Sequence, residues 1–184
     1  VIDATVRYLS FRDAAASGVE SVTATSVKIL LNTAHFEDVT VNYAVSGGTA
    51  TGLGMDYTLT AGAATITAGD TSTTISFVIT DDSIDEPSET ITLTLSSPAY
   101  AMIGSNTSTT YTITDNDAAG VTIAESLSST AVTEGGSSDS YTIVLDSQPT
   151  STVRITLSTG ADIGLSTSTI DFTSSNWDSP VTVT

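Results

Sequence analysis

The amino-acid sequence predicts an all-β chain built from two antiparallel sandwiches in tandem. Short stretches of alternating apolar and hydroxyl residues recur along it, as in Val39-Thr40-Val41-Asn42-Tyr43 and Thr90-Ile91-Thr92-Leu93. That period of two sends one face of a strand into a core and the other into water. Turn signals rich in Gly, Asp, Asn and Pro part these stretches at short intervals. No segment keeps a helical period over three turns.

Taken in order, residues 2–11 alternate as a strand, with Val6, Tyr8 and Phe11 expected on one face. The small residues from Asp13 to Gly18 are expected to break it. Val22–Leu31 resumes, and Val39–Val45 is a clean strand closed by Ser46-Gly47-Gly48. Thr49–Asp56 is a glycine-containing excursion. Short strands are expected at Tyr57–Leu59 and Ala63–Ile66, then long ones at Thr74–Ile79 and Thr90–Leu95, and a last one at Ser108–Thr114. The first unit therefore spans residues 1–117. A very short linker, Ala118-Ala119-Gly120, leads to a second unit at 118–184. Its strands are expected at Val121–Glu125, Ser140–Leu145, Val153–Leu157, Thr169–Phe172 and Pro180–Thr184, with a turn at Thr133–Gly136. It is little more than half the length of the first and reads as an incomplete sandwich.

Charge narrows the function. The 184 residues carry four Lys and Arg against 21 Asp and Glu, a formal net charge of -17. A nucleic-acid binder needs a basic footprint, and this chain has none. An anionic membrane surface is equally disfavoured, and no apolar run reaches membrane-spanning length. There are no cysteines, so disulfides are not the staple. The lone His35 reads as a solvated turn residue, and no Ser or Cys device accompanies it. The chain is accordingly read as non-catalytic. Trp177 reads as a core residue where a strand begins rather than a sugar platform.

The most informative stretch is Thr80–Leu95, T-D-D-S-I-D-E-P-S-E-T-I-T-L-T-L, whose loop gathers Asp81, Asp82, Asp85, Glu86 and Glu89 between two strands. Two carboxylates ~4 Å apart repel by about 4 kcal/mol at an effective dielectric near 20. No basic residue lies in the stretch. Oxygen-only donors select a hard cation, Ca²⁺ first among them.

Four motifs in this order closely resemble the Calx-β domain: Gly47-Gly48-Thr49-Ala50-Thr51-Gly52, Gly54-Met55-Asp56-Tyr57, Asp81-Asp82 through Glu86 and Glu89-Thr90, and Asp115-Asn116-Asp117. The resemblance covers residues 1–117. It implies a seven-stranded immunoglobulin-like sandwich with a cluster of Ca²⁺ at one end. By position it implies Glu20, Asp56, Asp81, Asp82, Glu86, Glu89, Asp115 and Asp117 as ligands, with the main-chain carbonyl of Ile84. Asn116 stands where a third acid is expected, which lowers the charge of the site. Loops from several strands meet at one pole of a sandwich, and Ca²⁺ takes about 6–8 oxygens, more than one loop supplies. The second unit more loosely resembles a related repeat of bacterial surface proteins, through T-E-G-G, the Ser140–Leu145 strand with Gln148-Pro149, and Asn176-Trp177; Glu134 occupies the place of Glu20.

The expectation that follows is an extracellular or cell-surface structural module, stiffened by Ca²⁺ at the pole and linker, in a repetitive bacterial adhesin or filament. The alternative is a calcium-sensing domain that changes an inter-domain angle. The expected partners are neighbouring repeats or identical subunits. The incomplete second unit is completed either by further strands of its own chain or by a strand from a neighbour, for which residues 2–11 are the natural donor.

Overall fold

A computed structural model describes residues 5–184. The chain divides into two compact units. One comprises residues 5–82 and 87–116; the other comprises Ser83–Glu86 and Asp117–Thr184.

The first unit holds ten strands in two five-stranded sheets among the described residues. They are β1 (Tyr8–Phe11), β2 (Ala15–Val19), β3 (Ala24–Leu31), β4 (Val39–Gly48), β5 (Tyr57–Thr58), β6 (Gly62–Ile66), β7 (Ser72–Ile79), β8 (Glu89–Ser96), β9 (Met102–Ile103) and β10 (Ser108–Thr114). One sheet has the order β5-β7-β3-β1-β9 and the other β2-β10-β8-β4-β6. Alternation does what the sequence predicts. Val27, Ile29, Leu31, Ile75, Phe77 and Ile79 of the first sheet meet Val39, Val41, Ile91, Leu93, Tyr111 and Ile113 of the second in one buried cluster. The hydroxyl residues between them face outward or toward cross-strand partners such as Thr92 and Thr110. Phe77 and Tyr111 meet edge to face across the core, with ring centroids 5.2 Å apart.

Three expectations change. Residues 2–4 of the predicted first strand lie outside the described residues, and the strand seen begins at Tyr8. Its inward face is Leu9 and Phe11, both buried, while Val6 and Tyr8 are exposed. Parity decides this: Leu9 and Phe11 stand opposite Leu31 and Ile29 of β3, so their neighbours must point away. The predicted break at residues 13–18 is largely a strand. After Ser10-Phe11 the chain crosses to the other sheet and runs as β2 parallel to β10, Ala15 opposite Thr110 and Val19 opposite Thr114. Small residues permit it: a Cβ at Gly18 would lie 2.2 Å from the Tyr111 hydroxyl. His35 is buried, not solvated. Its ring stacks on Tyr100 with centroids 5.2 Å apart, and its Nδ1 lies 3.1 Å from the Glu37 amide that donates to it.

The second unit has a three-stranded sheet, β11 (Val121–Glu125), β12 (Tyr141–Leu145) and β15 (Val181–Val183), in the order β11-β12-β15. A two-stranded sheet pairs β13 (Val153–Thr156) with β14 (Thr169–Phe172). Its core is small: Ile143, Leu145, Ile170, Phe172 and Val183, with Trp177 and Tyr141 packed against it. The Gln148 amide donates to the Ser83 carbonyl at 2.6 Å, which gathers Ser83–Glu86 into this unit. No helix among the described residues is long and apolar enough to cross a membrane.

Candidate metal centre

The register of β2 on β10 builds the site. Because Val19 lies opposite Thr114, the residues just beyond each strand emerge together. The Glu20 amide donates to the Thr114 carbonyl at 3.0 Å. One residue further, the Ser21 amide donates to the Asn116 side-chain carbonyl at 3.2 Å. Glu20, Asp115 and Asp117 are thereby drawn into one group, each offering a carboxylate oxygen within 4.8 Å of the others'. Glu20 is 6% exposed, and its Oε1 and the Oδ2 of Asp117 are buried.

This spacing fits a calcium ion. Oxygens on opposite sides of an ion at ~2.3–2.6 Å stand about 5 Å apart, and those at right angles stand closer. Three carboxylates so near one another repel, and burying a carboxylate costs several kcal/mol unless its charge is met. A divalent ion meets both demands. The oxygen-only donor set excludes a preference for soft metals. Glu20, Asp115 and Asp117 would hold the ion, and the ion would supply charge that lets three acids share one partly buried corner.

Hydrogen bonds tie neighbouring segments to this end of the unit. Asn116 donates through Nδ2 to Asp81 at 3.5 Å. It thereby bridges Ser21 and the acidic loop from the position where a third acid is expected. Thr49 and Thr90 exchange amide-to-hydroxyl bonds at 3.0 and 3.3 Å, fixing the glycine-containing excursion to the start of β8. Asp56 turns its carboxylate to the Thr51 amide and its main-chain carbonyl to the Thr80 amide at 2.9 Å.

The other expected ligands take different places. Asp56 is half-buried beside β5, Asp81 and Asp82 are exposed just after β7, and Glu89 opens β8 opposite Ile113. Ile84 is half-buried and Glu86 exposed at the tip of the loop. Among the described residues the three-carboxylate group contains none of these side chains. Glu134, the second unit's counterpart of Glu20, lies in an exposed turn and lines an open cleft with Asp139 and Asp162. Sequence reasoning missed the two struts, Asn116 and the Thr49–Thr90 pair. A signal for the first existed in the amide flanked by two acids; the second pairing is too distant in sequence to be read.

The fold and site together define an all-β sandwich module with an acidic, oxygen-donor pole. The family model for the Calx-beta domain matches residues 3–117, and the chain belongs to that family. No curated protein matches the chain in sequence. Among solved structures, the apo form of the Calx CBD1 domain is similar at a TM-score of 0.57 and 19% identity, over 61% of this chain and 100% of that one. CBD12 from CALX1.2 is similar at 0.57 and 21%, over 80% of this chain and 60% of that one. The structure titled calcium binding domain CBD12 of CALX1.1 is similar at 0.56 and 20%, over 79% and 61%. The chain thus spans about three fifths of those two longer structures.

Proposed function

We propose that this chain is a calcium-binding structural module of an extracellular, repetitive bacterial surface protein, an adhesin or filament, in which bound Ca²⁺ stiffens the fold. The observation that carries the calcium part is the convergence of Glu20, Asp115 and Asp117 on one partly buried corner. Family membership supports it, since the matched model ends at Asp117. Asp56, Asp81, Asp82, Glu86, Glu89 and the Ile84 carbonyl are the remaining candidate ligands, on the segments that flank that corner.

A structural role fits the rest of the chain. Thr and Ser alternate with the buried residues of β7, β8 and β10, and the first unit's large core is mostly aliphatic. Its partners are neighbouring repeats or identical subunits. The second unit's small core and short sheets favour a module that works beside others.

The test is isothermal calorimetry of the calcium-stripped chain titrated with CaCl₂, beside MgCl₂. Saturable Ca²⁺ binding that Glu20→Gln weakens supports the reading. Heats equal to dilution would remove its calcium part.

A further inference from the structure

The chain carries four basic side chains, and two of them meet in one notch of the first unit. The path of β1 makes this notch. β1 pairs with β3 from Leu9 to Phe11, opposite Leu31 to Ile29. The Arg12 amide then donates to the Lys28 carbonyl at 2.9 Å. Beyond it the chain crosses to the other sheet, where the Thr110 amide donates to the Ala14 carbonyl at 3.1 Å. The first half of β3 keeps β7 on one side, Ala24 opposite Val78 and Lys28 opposite Thr74, while β1 does not reach its other side. A notch of about 140 Å³ opens at this crossover. Arg12 and Asp13 line it, with Ser26 and Lys28 of β3, Thr74 of β7 and Thr109 of β10.

The polar side chains of this lining are donors, Asp13 apart. Arg12 gives its Nε to Asp13 at 2.6 Å, and its terminal nitrogens make no bond among the described residues. Lys28 is half-buried and makes no ion pair among the described residues. Thr109 is 2% exposed, and its hydroxyl makes no hydrogen bond among the described residues. A buried hydroxyl without a partner costs free energy, which an acceptor on a ligand would offset. The other two basic residues are committed elsewhere. Arg154 holds Asp171 through two bonds of 2.7 Å. Arg7 is buried and donates to the Ala34 carbonyl at 3.2 Å. Arg12 and Lys28 together with Asp13 leave one positive charge in the notch. That remainder suits a single negative charge and leaves the second charge of a dianion unmet, in a chain whose net charge is -17. The terminal nitrogens of a guanidinium match the two oxygens of a carboxylate.

We infer that this notch binds a single carboxylate group, held by the terminal nitrogens of Arg12 and the Lys28 ammonium, with the Thr109 hydroxyl donating to it. The carboxylate belongs to a small organic acid or to the surface of another copy of this chain, which has 21 Asp and Glu to offer. The notch shares no residue with the candidate calcium centre, so the two stand or fall separately.

The probe is sodium acetate, titrated into the isotope-labelled full chain and followed by amide NMR shifts. The chain is stripped of calcium and free of chelator, since chelators carry carboxylates, and NaCl holds the ionic strength constant. Saturable shifts are expected at Arg12, Asp13, Ser26 and Lys28, and sodium sulfate should bind more weakly. Lys28→Gln is expected to weaken acetate by about tenfold, the loss of one charged donor, and Lys28→Arg to restore most of it. Thr109→Val keeps the shape of the side chain and should weaken acetate by about fivefold without lowering Tm. Signals away from the notch report that each variant folds. Sedimentation separates the two sources. A parent that self-associates until acetate or Lys28→Gln releases it takes its carboxylate from a second copy; a monomeric parent that binds acetate takes it from a small acid. Three results would overturn the inference. One is no saturable shift at the notch. Another is an equal response from parent and Lys28→Gln, which is a bulk salt effect. The third is aggregation of Lys28→Gln while the parent ignores acetate, which makes these cations guards of an open strand edge.

Discussion

At the scale of residues, acidity is distributed with a purpose. Asp70 is exposed in a turn, where its amide donates to the Thr67 carbonyl, and it has no place in the three-carboxylate group. Glu20→Gln and Asp117→Asn are each expected to weaken calcium about 10–100-fold, the effect of losing a charged donor. Asp70→Asn should leave affinity unchanged; calorimetry on the three variants checks this. Equal losses in all three would mean that diffuse charge holds the ion. Asp139 in the second unit makes a different prediction. It accepts bonds from the Ser126 hydroxyl and the Ala131 and Ser140 amides. These bonds, the Ser126 hydroxyl foremost, hold its carboxyl below the usual value of 3.8. A depressed carboxyl contributes stability above its unfolded pKa and loses it as pH falls through the folded one. Acid unfolding of Asp139→Asn should therefore be less steep below pH ~4 than that of the parent, read by circular dichroism. The acids themselves were legible in the sequence because five of them fall in one short loop with no basic residue in it. Burial was not legible. His35 reads as polar from its neighbours, yet Tyr100, far along the chain, supplies the surface that covers it.

At the scale of elements, small residues decide where strands can go. Gly18 admits β2 beneath Tyr111, whose hydroxyl lies 3.1 Å from that of Thr25. Gly18→Ala is expected to destabilise by about 1–3 kcal/mol, the range for overpacking a closed site. A larger contrast sits at the β4 bulge, where pairing with β8 shifts register between Val45 and Gly47. Gly48 has φ +120, and a Cβ there would stand 2.1 Å from the Thr90 carbonyl oxygen, whereas at Gly47 it would meet nothing within 4 Å. Gly48→Ala should unfold at lower urea by an amount worth at least about 1 kcal/mol, and Gly47→Ala should be near neutral. The long strands were legible because their alternation is strict. β2 was not, because Ala15-Ala16-Ser17-Gly18 carries no apolar alternation and its partner β10 lies nearly a hundred residues on. The two-residue strand β9 is likewise set by its neighbour β1, whereas β5 falls where the sequence predicts a short strand at Tyr57–Leu59.

At the scale of the molecule, two units of unequal core share one chain. Among the described residues, the first buries eighteen apolar side chains in a single cluster and the second five. The end of one motif series near residue 117 and the start of another are visible in the sequence. The assignment of Ser83–Glu86 to the second unit is not, because it depends on the Gln148–Ser83 contact. In the proposed site, calcium held by Glu20, Asp115 and Asp117 would join the end of β2 to the end of β10, strands that run parallel. Ligand that binds only the folded state adds about 2.7 kcal/mol at a hundredfold excess over Kd. For a unit of this size that raises Tm by roughly 10 °C.

Thermal unfolding of the full chain in saturating CaCl₂ and again in EDTA tests the calcium site most directly. The expected result is a transition that rises by roughly 10 °C with calcium, returns on chelation, and loses most of its response in Glu20→Gln. A melting curve that is the same in both buffers would contradict the account.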